Sequence, residues 1–284
     1  MSDIAHLLQA RSFVELGARQ RVRALLDRGS FRELLGPFDR LASPWLARQG
    51  IVPQADDGVV IAKGQLAGRP AVLAAIEGGF QGGSMGEVGA AKMAAALQLA
   101  VEDNRAGIPT QAVLLLETGG VRLQEANLGL AGIAEIQAGI VELREHQPVV
   151  GVVAGPVGCF GGMSIAAGLC SYLIVTREAR LGLNGPQVIE QEAGIEEYDS
   201  RDRPFIWSLT GGEQRFASGL VDAYVADDVD AVREQVQAFL AKGVAQQPRS
   251  RRYTWYLERL ASLGEQPPQQ DAPAVRALFR GERS

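Results

Sequence analysis

Two stretches decide the fold: LLLETGGVRLQEA at residues 114–126 and GVVAGPVGCFGGMSIAAG at residues 151–168. Each predicts a buried strand, a glycine pair and the start of a helix. Glycine lets the backbone turn sharply and approach a ligand, and the first N–H groups of a helix are free to donate. One pair alone would simply close a turn. Two matching pairs favour an oxyanion hole, with Gly119, Gly120, Gly161 and Gly162 as the expected catalytic residues.

Strand and helix patterns alternate on both sides of these stretches. Helical spacing predicts helices over 18–28, 86–105, 123–144, 162–169, 212–219, 228–242 and 254–263, and a short helical turn over 30–35. Apolar runs predict strands over 111–117, 148–155, 171–176 and 179–183, and a hairpin centred on residues 67–70. The strands after the hairpin have no polar face, which indicates a mostly parallel sheet covered on both sides. The expected class is therefore α/β.

The composition divides the chain into three parts. We expect an N-terminal helical segment over 1–57, a core domain over 58–243 and a C-terminal tail, partly helical, over 244–284. The tail begins where the sequence changes to QQPRSRR, and its helical piece carries Trp255, Leu257, Leu260 and Leu263 on one stripe. This apolar stripe could pack on its own domain or on a partner subunit, and the sequence favours neither alternative.

Charge and cysteine content exclude several function classes. The chain has 28 basic and 33 acidic residues, a net charge of -5, which argues against nucleic acid as a partner. Cys159 and Cys170 lie in an apolar stretch and suit free thiols in a reducing cytoplasm. The start of the sequence lacks a signal-peptide pattern, and no apolar run reaches the ~20 residues that span a bilayer. With two histidines and no C-x-x-C pair, we expect no metal site.

The segment GGSMG at residues 82–86 is a Gly-x-Ser-x-Gly sequence, and Asp103 and His146 follow it in the chain order of an α/β-hydrolase triad. A nucleophilic serine must stand directly after a strand. Here EGGFQGG separates Ser84 from Ile76, the last clear strand residue, and His146 ends the polar segment ELREHQ. We therefore expect these three residues not to form a triad.

Several motifs in register resemble a known family: GGFQGGSMGEVGAAKM (78–93), ETGGVRLQEA (117–126), and the stretch from GPVGCFGGMSIAAG through ARLGLNGPQVIEQ (155–191). They resemble the biotin-dependent carboxyltransferase group of the crotonase superfamily. Within that group they are most similar to the β subunits of biotin-independent malonate decarboxylases. The resemblance covers residues 18–242 and implies a crotonase-like spiral of ββα units, with N-terminal helices and a C-terminal helical tail.

The resemblance implies a malonyl-thioester decarboxylase. Malonyl-S-(acyl carrier protein) would become acetyl-S-(acyl carrier protein) and CO2 through an enolate held by backbone amides. The β subunit of an acyl-CoA carboxylase is an alternative, but it normally carries a four-cysteine zinc ribbon, and the first 158 residues here contain no cysteine. A crotonase-type hydratase or isomerase, and a scaffold that only docks the carrier protein, remain open.

The resemblance also implies substrate contacts and partners. The expected substrate-binding residues are Gly82, Gly83, Ser84, Met85, Val121, Gln124 and Met163, with GGSMG beside the pantetheine arm. Gln124 and Glu125 could orient a water that protonates the enolate, although Glu125 could equally be a helix cap. No cofactor is expected in this chain and no biotin, because the substrate is carried on a phosphopantetheine-type arm. One crotonase unit where the family pairs two implies a second crotonase-fold subunit, the γ subunit, beside carrier-protein and acyl-transferase subunits.

Overall fold

A seven-stranded sheet occupies the centre of the computed structural model, which describes residues 10–52, 57–262, 273, 276, 277 and 279. The strands follow one another in sheet order; the first three are antiparallel and the rest parallel. They are β1 (Arg32–Leu35), β2 (Val59–Leu66), β3 (Arg69–Ile76), β4 (Gln111–Leu115), β5 (Val149–Val153), β6 (Tyr172–Thr176) and β7 (Ala223–Val225). The predicted hairpin joins β2 to β3 through Ala67 and Gly68, both with positive φ.

Helices cover both faces of the sheet, as the apolar strands predicted. They are α1 (Ala18–Leu25), α2 (Glu87–Arg105), α3 (Ala126–Leu143), α4 (Gly162–Leu169), α5 (Pro186–Ala193), α6 (Arg203–Thr210), α7 (Gly212–Ala217), α8 (Val229–Lys242) and α9 (Tyr253–Ala261). On one face, Leu114 belongs to a core with Leu97 of α2 and Ile136 of α3. On the other, Leu115 belongs to a core with Leu25 of α1. Alternate residues of one buried strand therefore serve two cores.

A second, much narrower layer of pairing runs beside the carboxyl ends of the parallel strands. It consists of single parallel bridges that pair Met85 with Val121, Thr118 with Cys159, and Cys159 with Leu181. Each bridged segment follows a strand of the large sheet and precedes a helix. The repeating unit is strand, bridge and helix, and this arrangement brings the two glycine turns together.

Some predicted elements differ from the structure. Residues 30–35, expected as a helical turn, contain β1, which pairs antiparallel with β2 through Arg32 and Lys63. Residues 179–183 form no strand: Arg180 and Leu181 make only isolated bridges. Helices α5 and α6 and strand β7 are additional elements that the sequence patterns did not predict. The N-terminal segment is thus not only helical, because it contributes a strand to the sheet.

The tail packs on its own domain over the residues described. The predicted helix is present as α9, and Tyr256 Oη donates a 2.9 Å hydrogen bond to Gly219 O. Arg249 donates to Gly168 O at 3.1 Å and forms an ion pair with Asp222. Residues 1–9 and 53–56 of the predicted N-terminal segment, Leu263, and most of the tail after it lie outside the described residues. The predicted boundaries at 57/58 and 243/244 stay predictions.

Candidate functional site

The two glycine turns predicted from the sequence lie directly against each other. A Cβ placed on Gly161 would lie 3.4 Å from Gly120 Cα, and a Cβ on Gly120 would lie 3.3 Å from Phe160 O. Gly120 has φ 106° and Gly161 has φ 61°, in the left-handed region that favours glycine. Phe160 N–H donates to Thr118 O at 3.1 Å and fixes the two turns in register.

Three of the four glycine N–H groups proposed as oxyanion donors are already used within the chain. Gly119 N–H donates to Gly82 O at 2.9 Å, and Gly161 N–H donates to Leu183 O at 2.7 Å. Gly120 N–H donates to Thr118 Oγ1 at 3.0 Å. These bonds hold the turns in shape. They remove Gly119, Gly120 and Gly161 as direct N–H donors in this arrangement, and only Gly162 of the predicted set remains.

Two backbone N–H groups beside Gly161 have no hydrogen-bond partner among the described residues. Gly162 is the first residue of α4, where an N–H has no partner within its own helix. Among the residues that the structure describes, neither Gly162 N–H nor Val121 N–H donates a hydrogen bond. Val121 N would lie 3.9 Å from a Cβ on Gly161. At this contact, Val121 N–H and Gly162 N–H are therefore without a hydrogen-bond partner among the described residues, and Val121 was expected only as a substrate contact.

A cleft of about 460 Å³ lies beside the first glycine turn. It brings together five of the predicted residues: Gly82, Ser84, Gly119, Val121 and Gln124. Gln81 and Leu123 complete its lining and were not predicted. Leu123 is 81% exposed. The second turn, with Gly161 and Gly162, contacts the first turn at Gly120 and does not line the cleft.

The two methionines expected to contact substrate are core residues. Met85 and Met163 are fully buried and belong to the core between the sheet and helices α2, α3 and α4. Met85 contributes through its backbone, because Met85 N–H donates to Gly120 O at 2.8 Å. Gly83 is buried and packs on the backbone of Glu117. These three residues therefore support the glycine turns from the protein interior and do not line the cleft.

A buried polar network connects GGSMG to the first glycine turn. Arg122 donates from Nε to Ser84 Oγ at 3.2 Å, and from Nη2 to Ser84 O at 3.0 Å. It also forms an ion pair with Glu125 at 3.0 Å, with both side chains 5% exposed or less. The other Glu125 oxygen accepts from Glu87 N–H at 2.7 Å, at the start of α2. The Glu125 carboxylate therefore caps the start of α2, whereas the adjacent Gln124 lines the cleft.

The residues of the Gly-x-Ser-x-Gly triad are not brought together. Asp103 lies 16 residues after Glu87 along α2, which corresponds to about 24 Å at the rise of an α-helix. Its carboxylate accepts from Lys63 Nζ at 2.6 Å and from Thr110 Oγ1 at 2.7 Å. His146 is exposed beyond the end of α3. Ser84 Oγ accepts from Arg122 Nε, and neither Asp103 nor His146 bonds it in the described part of the chain.

Metal sites, membrane-spanning helices and free thiols are further features that bear on function in the part of the chain that the structure describes. No group of three or more His, Cys, Asp or Glu side chains is arranged to hold a metal ion there. None of the helices in those ranges is both long and apolar enough to cross a membrane. Cys159 and Cys170 are free and buried.

Comparison with known proteins places these features in a family. The model of the carboxyl transferase domain matches residues 13–271. A malonyl-S-ACP:biotin-protein carboxyltransferase, MADC, from Malonomonas rubra is 39% identical over 245 residues, covering 83% of this chain and 77% of that protein.

Solved structures agree with this match. A chain of a Pseudomonas malonate decarboxylase hetero-tetramer in complex with malonate is 74% identical, with a TM-score of 0.91, and the match covers 97% of this chain and 99% of that one. A chain of a Pseudomonas malonate decarboxylase MdcD-MdcE hetero-dimer is 68% identical, with a TM-score of 0.76, over 88% of this chain and 97% of that one. The crotonase-like fold and the resemblance drawn from the motifs are confirmed. The chain belongs to the carboxyl transferase domain family, among its malonate decarboxylase members.

Proposed function

We propose that this chain is a subunit of a malonyl-thioester decarboxylase, and that Val121 N–H and Gly162 N–H form its oxyanion hole. The protein converts malonyl-S-(acyl carrier protein) to acetyl-S-(acyl carrier protein) and CO2 as part of a hetero-oligomer. The names of its relatives support this proposal. The Pseudomonas structures are of malonate decarboxylase, and the Malonomonas protein is a malonyl-S-ACP:biotin-protein carboxyltransferase, which removes the carboxylate from the same substrate.

The observation that carries the proposed mechanism is the free pair of N–H groups beside Gly161. The bond between the malonyl α-carbon and its carboxylate breaks, CO2 leaves, and the electron pair forms an enolate with its charge on the thioester oxygen. Donors aimed at that oxygen are typically worth about 2.7–4 kcal/mol each in the transition state. Two donors would therefore supply a large part of the barrier reduction.

Protonation completes the reaction, because the enolate carbon must gain one proton to become an acetyl group. Loss of CO2 needs no base to start it, which fits a cleft with no histidine among its described lining residues. Gln124 lines the cleft one turn beyond the glycine pair, and its amide is suited to orient a water as the proton source. Ser84 is held by Arg122 and takes no part in bond making.

A second crotonase-fold subunit, the γ subunit, completes the active site in this proposal. The solved relatives are a hetero-tetramer and a hetero-dimer. The elements that carry the two turns expose large apolar side chains: Leu130 of α3 and Ile165 of α4 are each about half exposed, and Leu183, whose carbonyl holds Gly161, is 62% exposed. Exposed apolar side chains of this size favour a protein interface. Further proposed partners are the carrier protein and an acyl-transferase subunit.

The substrate arrives on the phosphopantetheine-type arm of the carrier protein, and GGSMG lies beside that arm. No biotin takes part in this proposal, which separates it from carboxyl transfer to a biotin protein, the activity in the name of the Malonomonas relative. The greater identity to the malonate decarboxylase chains, 74% against 39%, supports decarboxylation. A cytoplasmic location stays a prediction.

A panel of thioesters tests the proposal. The chain with its partner subunit is supplied with malonyl-S-carrier, malonyl-CoA and crotonyl-CoA, and the products are identified by mass spectrometry. Acetyl-S-carrier formed from malonyl-S-carrier is the expected product. Hydration or isomerisation of the crotonyl thioester would favour a different crotonase-type enzyme. Binding of the carrier without turnover would support a scaffold.

A further inference from the structure

A buried ion pair lies directly behind the two glycine turns. Arg21 of α1 donates from Nη1 to the Glu117 carboxylate, and both side chains are 7% exposed. Glu117 follows β4 and precedes Thr118 and Gly119. Neither residue lines the cleft. The pair therefore lies outside the lining of the cleft and is adjacent in sequence to the first glycine turn.

The Arg21 guanidinium is held from three sides. Besides Glu117, it donates from Nε to Phe13 O at 3.0 Å and from Nη2 to Val14 O at 2.6 Å. That segment is itself attached to the far edge of the sheet, because Phe13 N–H and Val14 N–H both donate to Asp227 Oδ1 at 2.8 Å. Arg21 thus gives the Glu117 carboxylate a fixed position.

Glycines make room for the Glu117 side chain at the ends of the neighbouring strands. A Cβ on Gly78, just after β3, would lie 2.8 Å from Glu117 Cγ. A Cβ on Gly155, just after β5, would overlap the Glu117 carboxylate. The carboxylate therefore occupies the space between the ends of β3, β4 and β5.

The backbone next to Glu117 connects this space to both turns. Thr118 N–H donates to Gly158 O at 2.7 Å, and Thr118 O accepts from Phe160 N–H. A shift of Glu117 would therefore move the Val121 turn relative to the Gly162 turn. Small displacements of this kind matter, because an oxyanion hole works only when its donors meet the position of the developing charge.

We propose that Arg21 and Glu117 are positioning residues for the decarboxylation: their ion pair sets the spacing between Val121 N–H and Gly162 N–H without touching the substrate. This rests on the proposed function. If the ion pair only stabilised the fold, weakening it would lower stability alone. If it positions the two donors, weakening it should also slow the chemical step more than it weakens substrate binding.

The test uses the assembled enzyme and compares Glu117→Gln with Asp222→Asn. Asp222 pairs with Arg249, whose side chain is also 7% exposed, at the opposite end of the sheet strands. Both variants should lower the thermal midpoint. Only Glu117→Gln should lower kcat for malonyl-S-carrier, by about tenfold to hundredfold, with KM changed less than about threefold. Measurements are made well below both midpoints, so that all of the enzyme is folded.

A second variant distinguishes the effect of the ion pair on the position of the donors from its effect on the stability of the protein. Replacing both partners by apolar residues, in Arg21→Met/Glu117→Leu, removes the unpaired buried charge, and such replacements often restore stability. We expect the thermal midpoint to recover relative to Glu117→Gln while kcat stays low. Recovery of kcat together with the midpoint, or equal kcat for Glu117→Gln and Asp222→Asn, would overturn the positioning role. A wild-type enzyme that does not decarboxylate malonyl-S-carrier would instead contradict the proposed function itself.

Discussion

Gly120 and Gly161 lie with their Cα atoms facing each other, so close that a Cβ on Gly161 would stand 3.4 Å from Gly120 Cα. This contact joins two turns that are 41 positions apart in the chain. It brings Val121 N–H close to Gly161, the residue before Gly162, and neither Val121 N–H nor Gly162 N–H has a partner among the described residues. The proposed chemistry depends on this close approach.

Alanine at either glycine should therefore reduce activity. Gly120→Ala places a Cβ 3.3 Å from Phe160 O, and both Gly120→Ala and Gly161→Ala strain a residue with positive φ. We expect kcat of the assembled enzyme to fall by about a hundredfold. Gly168→Ala is the matched control, because a Cβ there meets nothing within 4 Å. It lies inside α4 and should keep full activity, with stability raised by about 1 kcal/mol. Normal turnover in a folded Gly161→Ala enzyme would show that the pair only closes a turn.

Ser84 and His146 should be replaceable. Loss of a true triad member costs about 10⁴ in kcat. Because Ser84 contacts Arg122 and no base, Ser84→Ala and His146→Gln should each cost less than about tenfold. Steady-state kinetics with malonyl-S-carrier measures this. A covalent adduct on Ser84 with a serine-directed reagent, or losses near 10⁴ for both variants, would favour a hydrolase instead.

Substitutions of Glu125 and Gln124 should have different effects on stability and on kcat, although the two residues are adjacent. Glu125 is 5% exposed and bonds Arg122 and the start of α2, so Glu125→Gln should destabilise the protein by about 3–5 kcal/mol. Gln124 is exposed in the cleft, so Gln124→Ala should leave the thermal midpoint unchanged and act on kcat alone. Equal midpoints for the two variants would argue against the capping network.

The cysteine thiols should be inert in the folded protein. Burial raises the pKa of the Cys159 thiol far above its ordinary value, and that of Cys170 to about 12. The reactive thiolate is then almost absent at neutral pH. Iodoacetamide at pH 7.5 should label neither residue in the native protein and both in urea, as read by mass spectrometry. Rapid native labelling of Cys159 would mean that the second glycine turn opens to solvent.

Apolar runs were sufficient to predict β4, β5 and β6 and the helices α3 and α4 between them, because both faces of this sheet are buried. β1 was predicted wrongly because RELL has no β-branched residue, and its strand form comes from pairing with β2. Helix α6 had local signals that were overlooked: Asp202 caps it by accepting from Phe205 N–H, and Pro204 lies in its first turn. Strand β7 has three residues, too short for any periodicity.

The site could be predicted as a pair of turns but not as a set of donors. A glycine pair between strand and helix is visible in the sequence, and five predicted residues line one cleft. Which N–H groups remain free depends on distant carbonyls, such as Gly82 O for Gly119 and Leu183 O for Gly161. No local pattern reveals those partners. The role of Glu117 was likewise hidden, because the space that it fills is made by Gly78 and Gly155.

The most direct measurement follows CO2 release and acetyl-S-carrier formation from malonyl-S-carrier by this chain alone, by the second crotonase-fold subunit alone, and by the two together, each with and without avidin. The account predicts turnover only when both subunits are present, and no effect of avidin. Full decarboxylation by the isolated chain would contradict the shared active site. Inhibition by avidin, or the absence of acetyl-S-carrier with both subunits present, would contradict biotin-independent decarboxylation.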